Sequence, residues 1–106
     1  MKNYTIIYSI TGEKELLKII ANRSLYSKTS AKKYSDKLKQ RIQQLSKDPE
    51  LAPPINPKDP TRRKLLFNEE YNIGYKVDHK KELITILRIR PCLKKPIKTI
   101  NPFDMD

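Results

Sequence analysis

The order of apolar periodicities predicts an α+β fold, β-α-α-β-β-β, with a helical hairpin packed on one face of an antiparallel sheet. Three observations carry this. A period-2 segment opens the chain, two segments of helical period follow, and three short alternating segments close it after a proline-rich break. Tight links make the last three strands antiparallel. Two consecutive helices then find their place across one face of that sheet.

The first strand comes from Tyr4, Ile6, Tyr8 and Ile10, which alternate with Thr5, Ile7 and Ser9. Thr11-Gly12 offers a cap and a turn, Glu13 and Glu15 sit where the helix dipole favours acids, and Leu16, Leu17, Ile19 and Ile20 form an apolar stripe. This predicts a first helix from about Gly12 to Asn22. Periodicity is lost from Arg23 to Lys28. Thr29-Ser30 then supplies N-cap chemistry before Ala31, Tyr34, Leu38, Ile42 and Leu45, which fall at helical spacing. The other face of this second helix carries Lys28, Lys32, Lys33, Lys37, Lys39, Arg41 and Lys47, with Asp36 as its one acid. Such a face is either merely solvated or a binding surface.

Asp48-Pro49 stops the second helix, and five of the eight prolines fall between Pro49 and Pro60. That segment cannot be a helix or an inner strand, so an extended surface linker is predicted. Arg63 to Phe67 reads as the second strand, Asn68-Glu69-Glu70 as a turn, and Tyr71, Ile73, Tyr75 and Val77 as the inward residues of the third. Asn72, Gly74 and Lys76 fall on its opposite face. After a charged tip at Asp78-His79-Lys80-Lys81, Leu83 to Ile89 is apolar on both faces apart from Thr85 and Arg88, which predicts a central strand. Pro91 ends it or marks a bulge. The segment 91–106 is a basic tail without a clear period. At 106 residues the chain suits one domain with its core at about 3–90.

Lys and Arg number 23 against 12 Asp and Glu, a net charge of +11. Such an excess repels itself and suits a polyanionic or acidic partner such as nucleic acid, a ribosome, a DNA-bound enzyme or an acidic protein. A lysine-rich proteome would produce part of it without any function. Cys92 is the one cysteine, so no intrachain disulfide can form, and a free thiol fits a reducing cytosol. The short apolar run at the start predicts no signal peptide, and no stretch reaches membrane-spanning length. A cytoplasmic protein without a membrane partner is expected.

One His and one Cys cannot supply a metal site with the usual ligand spacing, and two glycines cannot build a phosphate cradle. No metal and no cofactor are therefore expected, and His79, at a hairpin tip, reads as a solvated turn residue. Basic and aromatic chemistry remains. Arg62, Arg63 and Lys64 lead into one strand, Tyr71 and Tyr75 lie on the next, and Arg88, Arg90, Lys94 and Lys95 follow on and after the last. In an antiparallel sheet these can converge, with guanidiniums on phosphates and tyrosines stacked on bases. Two readings of Arg88 are open: it faces a ligand, or it pairs with an acid such as Glu69 or Glu70, since it interrupts an apolar face. Tyr71 and Tyr75 are either half-buried core or a stacking platform.

Ala31-Lys32-Lys33-Tyr34 through Ile42-Gln43-Gln44-Leu45, the break at Asp48-Pro49-Glu50-Leu51, Arg62-Arg63-Lys64-Leu65, Tyr71-Asn72-Ile73-Gly74-Tyr75-Lys76-Val77-Asp78 and Ile86-Leu87-Arg88-Ile89 together resemble the RelE/ParE toxins. The resemblance covers roughly residues 3–90. It implies a toxin of a type II toxin-antitoxin pair, a cognate acidic antitoxin that wraps it, and growth arrest when the toxin is free. RelE-like members cut messenger RNA on the ribosome; ParE-like members inhibit DNA gyrase. The nuclease branch typically has an arginine after the tyrosine that opens the third strand, lysines in the strand before, and a basic or tyrosine residue after the last strand. Here Asn72 follows Tyr71, and an asparagine cannot supply fixed positive charge to a pentacovalent phosphate. Arg63 and Lys64 partly match the second-strand basics, and Lys94 and Lys95 the final one. The balance tilts to a ParE-like toxin without catalysis. The catalytic candidates for the alternative, a metal-independent endoribonuclease, are Arg63, Arg88, Arg90 and Lys94; Arg62, Lys64, Tyr71, Tyr75 and Lys95 are candidates for target binding. A non-toxic nucleic-acid-binding module and an inactive toxin remnant are the remaining readings.

Overall fold

The computed structural model describes residues 3–92. Its elements run β1 (Thr5–Tyr8), α1 (Ile10–Ser24), α2 (Lys28–Lys47), β2 (Pro54–Asn56), β3 (Asp59–Phe67), β4 (Tyr71–Asp78) and β5 (Leu83–Pro91). The α+β class and the helical hairpin on one face of the sheet are as the periodicities predict. Two features differ. The sheet is mixed, in the order β1-β5-β4-β3-β2, because β1 joins β5 in parallel while the other pairings are antiparallel. The proline-rich segment also contributes the short edge strand β2 and, against expectation, the first two residues of the inner strand β3, where Pro60 stands second and so near the strand's start. β5 lies between β1 and β4, the central position that its apolar faces predict.

Ile10 is the first residue of α1 and is 75% exposed, so the alternation of the first strand ends at Tyr8. Ser9 is the true cap. Its Oγ accepts from Gly12 N at 2.9 Å and donates to the Leu87 carbonyl at 3.0 Å, while its backbone N donates to the Ile86 carbonyl at 2.9 Å. One short residue thus starts the helix and binds it to β5 where β1 runs out. Gly12 permits the approach, since a Cβ there would meet the Ile86 carbonyl oxygen at 2.5 Å. The cap of α2 is Ser27, whose Oγ accepts from Ser30 N at 3.1 Å, so that helix begins ahead of the predicted Thr29-Ser30.

The core lies between the helices and the sheet. Leu16, Ile19, Leu38, Ile42 and Leu45 from the helices meet Leu65, Phe67, Ile73, Tyr75, Val77, Ile84, Ile86 and Ile89 from the strands. Tyr34 anchors the far end. Its OH donates to Glu70 at 2.7 Å, its ring lies 5.3 Å from that of Phe67, and the Arg23 guanidinium stacks 3.5 Å from its centroid. Burial and then the Glu70 carboxylate push the Tyr34 phenol well above its ordinary value. The three-residue turn between β3 and β4 holds Asn68 and Glu69 in left-handed backbone, and Glu70 N donates to the Phe67 carbonyl at 2.9 Å to close it.

Candidate functional site

Alternation puts successive strand residues on opposite faces. On the face away from the helices, the register makes three cross-strand rungs: Arg62–Lys76–Thr85, Lys64–Gly74–Arg88 and Leu66–Asn72–Arg90. The second and third border a cleft of about 590 Å³ lined by Ile55, Lys64, Asn72, Gly74, Arg88, Arg90 and Pro91. It is open and basic. Gly74, without a side chain, forms its floor opposite Arg88, and Asn72 stands between Leu66 and Arg90.

A bulge shapes the β5 wall. Gly74 pairs with Arg88 but Tyr75 pairs with Ile86, which leaves Leu87 as the extra residue. The arginine is steered by Glu15 on α1: Arg88 Nε lies 3.3 Å from both carboxylate oxygens, and Nη2 lies 3.1 Å from Oε2. The same carboxylate accepts from the backbone N of Ile89 at 2.7 Å. Desolvation raises the Glu15 pKa, yet the bonds from Arg88 and Ile89 outweigh it and hold the carboxyl below its ordinary value. Arg88 therefore has an ion-pair partner, as one reading of the sequence required, but the partner is Glu15 rather than Glu69 or Glu70.

Of the residues singled out in the sequence, the cleft gathers Lys64, Arg88 and Arg90, with exposed Arg62 one rung away. Arg63 does not belong to it. This residue points to the helix side, is 9% exposed, and donates to the carbonyls of Pro60 at 2.9 Å and Ala52 at 2.7 Å, with Glu50 at 3.6 Å. Those acceptors hold the proline-rich segment and leave the guanidinium no access to a substrate. Tyr75 is likewise a core residue rather than a stacking platform: it is fully buried and its OH donates to the Pro49 carbonyl at 2.8 Å. Tyr71 is half-buried and packs edge-on against Tyr34 with centroids 6.5 Å apart, on the helix side, away from the basic cleft. Both corrections share one cause, since alternation turns every odd-numbered residue of β4 inward. Lys94 and Lys95 lie outside the described residues. His79 is half-exposed but not merely solvated, because its Nδ1 lies 2.7 Å from the Tyr4 hydroxyl and its Nε2 3.4 Å from Glu50.

Sequence reasoning missed Glu15, which meets its partners across more than seventy residues, and Ile55, hidden in the proline-rich segment. Asn72 was legible, because its place opposite the inward residues of β4 already put it on the outer face. Among the described residues no group of His, Cys, Asp and Glu could hold a metal ion, and no helix is long and apolar enough to cross a membrane.

Residues 6–95 match the family model for the ParE toxin of the type II toxin-antitoxin system parDE. The chain belongs to the ParE toxin family. It is a toxin of a type II toxin-antitoxin system within the wider ParE/RelE superfamily. Solved structures share the fold of this ParE-family chain. A chain of the chromosomal ParDE toxin-antitoxin system of P. aeruginosa superimposes with a TM-score of 0.67 at 17% identity, over 83% of this chain and 95% of that one. The isolated RelE toxin of E. coli gives 0.63 at 17% identity, over 88% of both chains. A chain of the RelBE2 complex of Mycobacterium tuberculosis gives 0.59 at 17% identity, covering 89% of this chain and 97% of that one. No curated protein matches the sequence significantly.

Proposed function

We propose that this ParE-family toxin arrests growth by inhibiting DNA gyrase through its basic cleft, without cutting RNA. The observation that carries this reading is Asn72. It sits within the cleft, where transition-state stabilisation of phosphodiester cleavage would call for a fixed positive charge, and a carboxamide has none. Burial of Arg63 removes a second catalytic candidate. The remaining cations can bind an anionic surface by charge and hydrogen bonding alone. The test sets a supercoiling assay with purified gyrase beside transcript cleavage on translating ribosomes. Supercoiling should fall while transcripts stay intact, and Arg88→Ala should weaken inhibition. Transcript cuts that vanish with Arg88→Ala would overturn the reading.

The second reading, a RelE-like ribosome-dependent endoribonuclease, is favoured by the meeting of Lys64, Arg88 and Arg90 in one cleft. In either case the partner is an acidic antitoxin whose amphipathic segment covers the helical hairpin and a sheet edge. Ile10, Leu17, Leu25 and Tyr26 offer it exposed apolar surface on and beside α1. Two of the similar structures come from toxin-antitoxin complexes or systems, of the ParDE and RelBE2 types. The co-expressed neighbour should co-purify at moderate salt, because buried apolar area is not screened.

A further inference from the structure

The cleft is not built by the sheet alone. β1 ends opposite Ile86, so beyond that point β5 has lost its neighbour on one side. There α1 takes over, first through Ser9 and then through Glu15, whose Oε1 accepts from Ile89 N at 2.7 Å. With one oxygen fixed by the backbone, the carboxylate presents a set direction to Arg88, which spans it through Nε and Nη2. Glu15 also lines a smaller cleft of about 190 Å³ between α1 and β5, with Lys18, Ile19, Asn22, Tyr71, Ile89 and Pro91, and so stands in the wall behind the basic cleft. Among the described residues Lys64 and Arg90 have no such brace, and both are exposed. Arginine loses several rotors on binding, so one already fixed pays less entropy when a target arrives.

We propose that Glu15 is a positioning residue of the cleft: it fixes the Arg88 guanidinium at the α1-side wall, with Nη1 left to meet an anionic group of the target. The role rests on the reading of the cleft as the target-binding surface. It assigns Glu15 no contact with the target. Glu15→Gln keeps an oxygen for Ile89 N and removes the charge that holds the guanidinium, so it separates positioning from splinting of the strand.

The experiment has two arms on the full chain. In the first, the Arg88 Nε–H resonance is followed by NMR, assigned by its loss in Arg88→Lys. It should exchange slowly with water in the parent and at least about 10-fold faster in Glu15→Gln, while the Ile89 amide stays protected. If Glu15→Gln does not fold, acidification of the parent serves instead. The charged groups that face Glu15 are Arg88 and Arg90 on β5 and Lys18 on α1. Protection of Nε–H should then collapse below the ordinary carboxyl value of 4.5, because the folded carboxyl lies lower. In the second arm, Glu15→Gln should weaken gyrase inhibition by about 5-fold in the parent and leave it unchanged in an Arg88→Ala background, the sign of action through Arg88. An equal loss in both backgrounds, or equally fast Nε–H exchange in parent and Glu15→Gln, overturns the proposal. A parent with protected Nε–H that does not inhibit gyrase overturns the target reading and leaves the positioning of Arg88 standing.

Discussion

On the helix side of the sheet, Leu65, Ile73, Tyr75, Ile84, Ile86 and Ile89 are almost wholly buried; on the other side, Lys64, Asn72, Arg88 and Arg90 line an open cleft. The same three strands supply both sets. The helix side follows packing rules, and the buried guanidinium of Arg63 is admitted there because two carbonyls and a carboxylate surround it. The cleft side collects cations that the fold does not need, a cost in self-repulsion that a binding partner would offset. The core thus falls to one set of alternate strand residues, and on the proposed reading target binding falls to the other.

The sharpest way to break this division is on the helix side. Ile84→Ala should destabilise by about 3–4 kcal/mol, read by urea unfolding, because the core closes only partly around a deleted side chain. Arg63→Ala should cost about 2–3 kcal/mol by leaving buried acceptors unpaired, with inhibition per folded molecule unchanged. A loss of inhibition with full stability would return Arg63 to the site. Acid should act more gently. The folded Glu15 carboxyl lies below its ordinary 4.5, so its contribution is complete above that value and is lost as pH falls through the folded one. Stability should therefore drop more steeply into the acid range in the parent than in Glu15→Gln. The smallest effect concerns a position on neither face. Asn68 holds a positive φ of 52°, which asparagine tolerates, so Asn68→Gly should change thermal unfolding by no more than about 0.5 kcal/mol.

Much of the helix side was legible because burial repeats with the period of the element. Ala31, Tyr34, Leu38, Ile42 and Leu45 mark α2, and Ile73, Tyr75 and Val77 mark β4, on spacing alone. The parallel pairing of β1 was hidden, since four residues carry no sign of direction. Caps at Ser27 rather than Thr29-Ser30, and at Ser9 rather than Thr11, follow from side chains that compete equally well in sequence. The cleft was half legible. Lys64, Arg88 and Arg90 could be picked by residue type, but the bulge at Leu87 and the reach of Glu15 to Arg88 depend on tertiary contact. Residue type also misled at Arg63 and Tyr75, where alternation, applied strictly, already pointed both inward.

On the proposed reading the cleft binds its target and performs no chemistry. The most direct measurement is gyrase supercoiling in the presence of the parent and of a Lys64→Ala, Arg90→Ala double variant, with each protein's unfolding midpoint recorded. The parent should inhibit; the double variant should lose at least about 10-fold in potency while keeping its stability within about 0.5 kcal/mol, since both residues are exposed. A double variant that inhibits as strongly as the parent would place gyrase binding outside the cleft.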